Sequence, residues 1–151
     1  MIKIKKQAIV FHTKEQMFEL VDNVEDYPSF LPWCGGTKVL AKDKTITKAQ
    51  IDIRYKGLKQ SFTTENSKQY PDKMVINLID GPFKKLEGEW RFIEIEKGAS
   101  RIELELNYEF KNFILEKLIS PAFTMIANTF IDSFVKKANE DGKNQSNPKL
   151  S

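Results

Sequence analysis

With 151 residues, 40% of them hydrophobic and 30% charged, the chain has the composition of one ordinary globular domain with a sizeable core. Its net charge of +3, with both signs interspersed, permits an RNA or an anionic membrane as partner without demanding either. The sole cysteine, Cys34, excludes an intrachain disulfide and a multi-cysteine zinc site, and no run reads as the ~18 consecutive apolar residues of a membrane span.

The opening MIKIKKQAIVF alternates rather than forming a signal-peptide core, so a first strand over residues 2–11 and a cytoplasmic protein that at most touches a membrane are expected. Thr13 with Gln16 fits a capping box, and Met17, Leu20, Val21 and Val24 follow at helical spacing. Pro28 should end or kink that helix by disfavouring helix at Tyr27, and a second short turn precedes Pro32 and Gly35-Gly36. From Thr37 to Phe110 the chain reads as antiparallel strands over 37–41, 45–55, 58–65, 74–79, 84–96 and 101–110. Tyr70-Pro71-Asp72-Lys73 reads as a turn with Pro in second place. The last strand is the clearest, with Ile102, Leu104, Leu106, Tyr108 and Phe110 facing one way and charged or polar residues the other.

Residues 112–119 read as a short helical lead-in, and Ser120-Pro121 as the N-cap and first turn of a long helix to Glu140. Ala122, Phe123, Ile126, Ala127, Phe130, Ile131, Phe134 and Ala138 form one broad apolar face on it. Burying its five large side chains is worth roughly 10 kcal/mol gross, an upper bound. A one-sided sheet and one broad apolar helix pair naturally, which gives an α+β fold of about seven strands curved around the C-terminal helix. The order is strand, two short helices, six strands, long helix, forming a single domain over 1–140 followed by a polar, disordered tail over 141–151. A strongly twisted sheet cannot follow a straight helix everywhere, and the gap it leaves would be an apolar pocket.

Three blocks carry a family resemblance. Residues Val24 to Cys34 (VEDYPSFLPWC), Ile79 to Phe92 (IDGPFKKLEGEWRF), and Ile126-Ala127-Asn128-Thr129 with Phe134-Val135-Lys136-Lys137-Ala138 keep the order and spacing of one family's signatures. Over residues 3–140 the chain resembles the coenzyme-Q-binding START-like (polyketide cyclase-like) family, and within it the bacterial ribosome-association toxin branch. The resemblance implies a helix-grip fold with a cavity between sheet and long helix. It further implies ubiquinone binding linked to respiration in one branch, and interference with ribosomal subunit joining in the other.

Catalysis finds little support in the residues. His12 is the sole histidine, no Cys–His couple suggests itself, and no phosphate-binding glycine pattern occurs. Cyclases of the wider superfamily use a pocket Arg or Tyr, for which Arg54, Tyr55 and Tyr108 are the candidates. No catalytic residue, metal, cofactor or DNA partner is expected. A hydrophobic ligand such as an isoprenoid quinone would be lined by Tyr27, Phe30, Leu31, Trp33, Phe62, Trp90, Phe92, Phe123, Ile126, Ala127, Phe130 and Phe134. Phe30-Leu31-Pro32-Trp33 is either a packed loop or a gate whose aromatics reach a membrane interface. Asp80-Gly81-Pro82-Phe83 is either a plain turn or a second lip, its Lys84 and Lys85 facing anionic lipid or the RNA of the large ribosomal subunit.

Overall fold

Alternation along the strands sets the architecture. The computed structural model, which describes residues 1–146, runs β1 (Ile2–Val10), α1 (Lys14–Asp22), a 3-10 turn (Val24–Asp26), α2 (Tyr27–Phe30), β2 (Cys34–Lys42), β3 (Ile46–Tyr55), β4 (Leu58–Gln69), β5 (Lys73–Asp80), β6 (Phe83–Glu96), β7 (Ala99–Phe110) and α3 (Phe113–Ser146). All seven strands form one antiparallel sheet in the order β1-β7-β6-β5-β4-β3-β2. Strands β2 to β7 are thus a meander, and β1 closes it beside β7. The helices α1 and α2 carry the chain from one edge of the sheet to the other.

The expected element order and the helix-grip fold are both present. At α1 both arms of the capping box form: Gln16 N donates to Thr13 Oγ1 at 3.1 Å, and Thr13 N to Gln16 Oε1 at 2.8 Å. Pro28 does not exclude Tyr27 from helix, whose φ and ψ are −52° and −43°. Instead Pro28 takes the first turn of α2, where a missing N–H costs nothing. The β4–β5 turn lies one residue earlier than expected, Asp72 N donating to Gln69 O at 2.8 Å, with Pro71 third.

One continuous helix replaces the lead-in and long helix read from the sequence. Asn112 caps it: Leu115 N donates to Asn112 Oδ1 at 2.9 Å, and Glu116 N to the Asn112 carbonyl at 3.0 Å. Pro121 therefore lies inside α3, lacking the N–H that would otherwise reach the Lys117 carbonyl. Continuity wins because Ile119, two residues before the proline, is buried in the core and holds the first turns in line with the rest. The helix runs on past Glu140 to Ser146, and residues 147–151 of the expected tail lie outside the described residues. By length and composition α3 could cross a membrane. That hydropathy is an average over a stretch with scattered polar residues, not a run of consecutive apolar ones. Yet Ile119, Phe123, Ile126, Ala127, Ile131 and Phe134 are buried within this fold.

The concave face of the sheet meets α3 through two aromatic clusters. At one end Tyr108 and Phe83 pack on Phe123, with ring centroids 4.7 and 4.9 Å apart, and Phe83 stacks on Phe110 at 5.0 Å. At the other, Trp90 packs on Phe134 at 5.5 Å and on Phe130 at 5.8 Å, and Tyr27 packs on Phe134 at 5.4 Å. Between the two the chain places small residues: Ala127 on α3, and Gly88 on the inward parity of β6 between Leu86 and Trp90.

Gly88 pairs with Ile76 on β5 and Leu106 on β7. A Cβ there would sit 2.6 Å from Leu106 Cδ2 and 2.8 Å from the Glu105 carbonyl oxygen. The backbone atom cannot yield as a side chain would. Gly88→Ala is therefore expected to destabilise the fold by about 1–3 kcal/mol, read as a lower midpoint in thermal or urea unfolding.

Candidate functional site

The gap between the clusters is a cavity of about 70 Å³. From α3 come Phe123, Ile126, Ala127 and Phe130, and from α2 and the loop after it come Tyr27 and Trp33. The sheet supplies Ile51, Phe62, Thr64, Asn66, Ile76, Trp90 and Leu106. Ala127, small among the aromatics of α3, borders the gap directly, and Ile76 and Leu106, the strand partners of Gly88, line it from the sheet.

Of the residues expected to line a pocket, Tyr27, Trp33, Phe62, Trp90, Phe123, Ile126, Ala127 and Phe130 do so. Phe30, Leu31, Phe92 and Phe134 do not. Phe134 packs behind the wall against Tyr27, Phe30 and Trp90, Phe92 stacks on Trp90 at 6.0 Å, and Leu31 is core. Ile51, Thr64, Asn66, Ile76 and Leu106 belong to the wall and were not singled out, although Thr64 and Asn66 share the strand parity of Phe62. Of the expected gate, Phe30 is half-buried and Leu31 is core. Trp33 is 3% exposed and packs on Phe130 at 5.9 Å, so its ring forms cavity wall and not surface.

Two polar atoms in this wall are buried without a hydrogen-bond partner among the described residues: the Trp33 indole Nε1 and Asn66 Oδ1. The first only donates and the second only accepts. Asn66 Nδ2 reaches Met74 Sδ at 3.6 Å, a weak acceptor. Leaving such atoms unpaired costs about 1–3 kcal/mol each. Tyr108, outside the wall, leans toward Thr124 without reaching good hydrogen-bond geometry, and burial raises its phenol pKa while Thr124 opposes the shift.

Beyond Asn66 on the same face of β4, Lys68 donates to Asp22 Oδ2 at 2.9 Å, and Thr47 Oγ1 donates to Asp22 Oδ1 at 2.7 Å. The Lys68 side chain is only 5% exposed, so this is a buried ion pair that ties the C-terminal end of α1 to β3 and β4. Tyr27 donates its hydroxyl to the Val21 carbonyl. Burial, and then the nearby Asp22 charge, hold that phenol neutral far above its ordinary value. The wall thus offers neutral groups to a ligand.

Among the described residues, the side chains that could serve catalysis do not converge on the cavity. Burial pushes the Cys34 thiol up, away from thiolate. His12 Nε2 bonds Asn139 Oδ1 at 2.9 Å outside the cavity. Arg54 is exposed on the outward face, and neither Tyr55 nor Tyr108 lines the cavity. Among the described residues no group of His, Cys, Asp and Glu could hold a metal ion. A bulge where β6 meets β7 exposes both Lys84 and Lys85, and Lys85 pairs with Glu87 at 3.5 Å.

The family described as polyketide cyclase / dehydrase and lipid transport matches residues 10–135. The chain is 36% identical over 140 residues to the ribosome association toxin RatA of Escherichia coli, covering 93% of this chain and 89% of the relative. It is 26% identical over 141 residues to the mitochondrial coenzyme Q-binding protein COQ10 homolog B of Xenopus laevis, covering 91% of this chain and 58% of the relative. The aromatase/cyclase Zhui of a Streptomyces species superimposes with a TM-score of 0.81 over 91% of this chain and 93% of its own. At 10% identity that likeness concerns the fold alone.

The ion pair beneath the cavity yields a stability prediction. Lys68→Met strands the Asp22 carboxylate, leaving Thr47 and the more distant Lys42, 3.7 Å away, as partners. The expected loss is about 3 kcal/mol in urea unfolding, and adding Asp22→Asn should recover part of it by removing the stranded charge.

Proposed function

The chain belongs to the polyketide cyclase / dehydrase and lipid transport family, and on that premise we propose that it binds a prenylated quinone-like lipid in the cavity between sheet and α3. We read it as a carrier and not as a catalyst. The observation that carries this reading is the make-up of the wall, which is mostly apolar and, beside Tyr27 and Thr64, holds one unpaired donor, Trp33 Nε1, and one unpaired acceptor, Asn66 Oδ1. A ring oxygen can accept from the indole, a ring hydroxyl can donate to the amide, and a prenyl chain suits the rest.

Magnitudes decide how such a ligand would enter. A cavity of about 150 Å³ accommodates one benzene ring, so the 70 Å³ seen here corresponds to the closed form. Each five-carbon unit contributes about 3–4 kcal/mol gross on burial, before ordering costs. Two or three units reach the roughly 8 kcal/mol of micromolar affinity with something left to part helix and sheet.

Extraction of the purified protein followed by mass spectrometry should recover a prenyl lipid, and added ubiquinone should bind. Absence of both would end the carrier reading. Ala127→Leu extends a side chain into the gap, so stability should hold or rise while affinity drops at least ~10-fold. Asn66→Leu should raise the melting temperature by removing an unpaired acceptor, yet weaken binding of the hydroxylated, reduced ring.

A second reading rests on the 36% identity to a ribosome association toxin across 93% of this chain. Under it, exposed lysines contact the RNA of the large ribosomal subunit. Co-sedimentation with isolated large subunits should weaken steeply with salt, and Lys84→Glu with Lys85→Glu should weaken it further. No co-sedimentation at low salt would sink it.

A further inference from the structure

One end of the molecule carries an apolar patch that the lipid and ribosome readings leave unused. On the first turns of α3, Phe113 is 66% exposed, Ile114 76% and Leu118 57%. These residues belong to a helix whose inward face is fully employed in the core, so the patch is not a frayed end. Leu118 and Pro121 share a groove with Tyr55, Gly57 and Leu58 of the β3–β4 turn. Lys111 N donates to the Pro82 carbonyl at 3.0 Å, which brings the β5–β6 turn to the same end. Three segments distant in sequence thus present one surface.

Cations ring it. Lys56 and Lys59 stand at the β3–β4 turn, Lys84 follows the β5–β6 turn, and Lys111 and Lys117 flank the start of α3, all exposed. The Lys117 ammonium lies 4.8 Å from the centre of the Phe113 ring. The acidic side chains nearby are Asp80, Glu109 and Glu116, so the balance is positive. Large exposed apolar side chains surrounded by lysines match an interface that is apolar below and negative above.

We propose that this end of the molecule docks on an anionic lipid bilayer, with Phe113, Ile114 and Leu118 in the interfacial layer and the lysines at the headgroups. An RNA surface would satisfy the lysines and leave the three apolar side chains without a purpose. A bilayer satisfies both. The α3 axis continues into the core, so the contact is interfacial and does not span the membrane. The proposal holds whichever ligand the cavity takes.

Flotation of the full chain with vesicles tests it, using phosphatidylcholine alone beside phosphatidylcholine carrying phosphatidylglycerol. Binding is expected to the anionic vesicles only, and to fall as salt rises. Ile114→Ser with Leu118→Ser should reduce binding at least ~10-fold without moving the melting temperature, because both side chains are exposed. Lys56→Glu with Lys59→Glu should reduce it by roughly fivefold or more per lysine. No binding to anionic vesicles overturns the proposal. So does vesicle binding that ignores the serine pair. Loss of RNA binding in the lysine variant, with vesicle binding unchanged, would reassign the surface to RNA. Concentration-dependent self-association abolished by the serine pair would reassign it to a second copy of the chain.

Discussion

Everything in this fold depends on covering the concave face of one antiparallel sheet. Strands β2 to β7 turn a row of large apolar side chains inward, and α3 is the one element long enough to lie along them. Neither half is stable alone, since a bare sheet and a bare amphipathic helix would each expose the surface they bury together. The tie is aromatic at both ends, through Phe123 with Tyr108 and Phe83, and through Phe134 with Trp90 and Tyr27. Fixing both ends is what allows the middle to be imperfect. A gap at the level of Ala127 and Gly88 sacrifices some dispersion but leaves both anchors intact.

The polar groups near that gap sort by whether the fold satisfies them. Asp22, Lys68 and Thr47 satisfy one another at distances of 2.7 and 2.9 Å, and Tyr27 finds the Val21 carbonyl. Trp33 Nε1 and Asn66 Oδ1, a short way along the same wall, find nothing among the described residues. A site serving stability alone would carry apolar atoms there, because an unpaired buried donor or acceptor costs more than its hydrogen bond returns. Tyr108 Oη, outside the wall, is unpaired as well, so what distinguishes Trp33 Nε1 and Asn66 Oδ1 is their place beside an apolar gap, where the proposed ligand would meet them. An apolar cavity kept open while empty would lose its packing contacts permanently, and the small volume avoids that loss.

The fold was legible because two periodicities are clean in this sequence. Period-two alternation from Ile102 to Phe110 and the broad helical stripe from Phe123 to Phe134 each admit one reading. Helix boundaries were less legible, because Ser120-Pro121 carries a start signature that the buried Ile119 overrides. The site was legible in part. Helical phase and strand parity say which residues face the interior, but not which of them face a gap in it, so Phe134 on α3 and Phe92 on β6 read as lining while they are filler. Weighting aromatic residues also hid Thr64 and Asn66, though both follow Phe62 at strand spacing. The same face of β4 also carries Gln60 and Lys68, so its polar residues give no sign in the sequence of which of them reach the cavity. The exposed face of α3 was hidden for a related reason. Phe113, Ile114 and Leu118 look like ordinary core residues until the rotation of the helix about its axis is known.

The cavity is bounded by a firm wall on the α2 side and by a weaker one toward the exposed start of α3. On the α2 side the gap is closed by Trp33, with Leu31 buried behind it and Tyr27 hydrogen-bonded to Val21, so opening there would break a packed and bonded layer. On the other side stand Phe62 and Phe123. Phe62 is only partly buried and touches Phe83 and Phe123 edge to face at 6.1 and 6.4 Å. Gly81, at φ 150°, lets the β5–β6 turn pass so close that a Cβ there would lie 2.7 Å from Phe62 Cβ. Displacing Phe62 therefore disturbs the β5–β6 turn near the exposed start of α3 and its edge contacts with Phe83 and Phe123. A chain-like apolar ligand entering at that point passes from the lysine-ringed end directly against Phe123, with Ala127 next along the helix. The cheaper opening and the apolar patch lie at the same end, so a ligand drawn from a bilayer would cross little water on its way in.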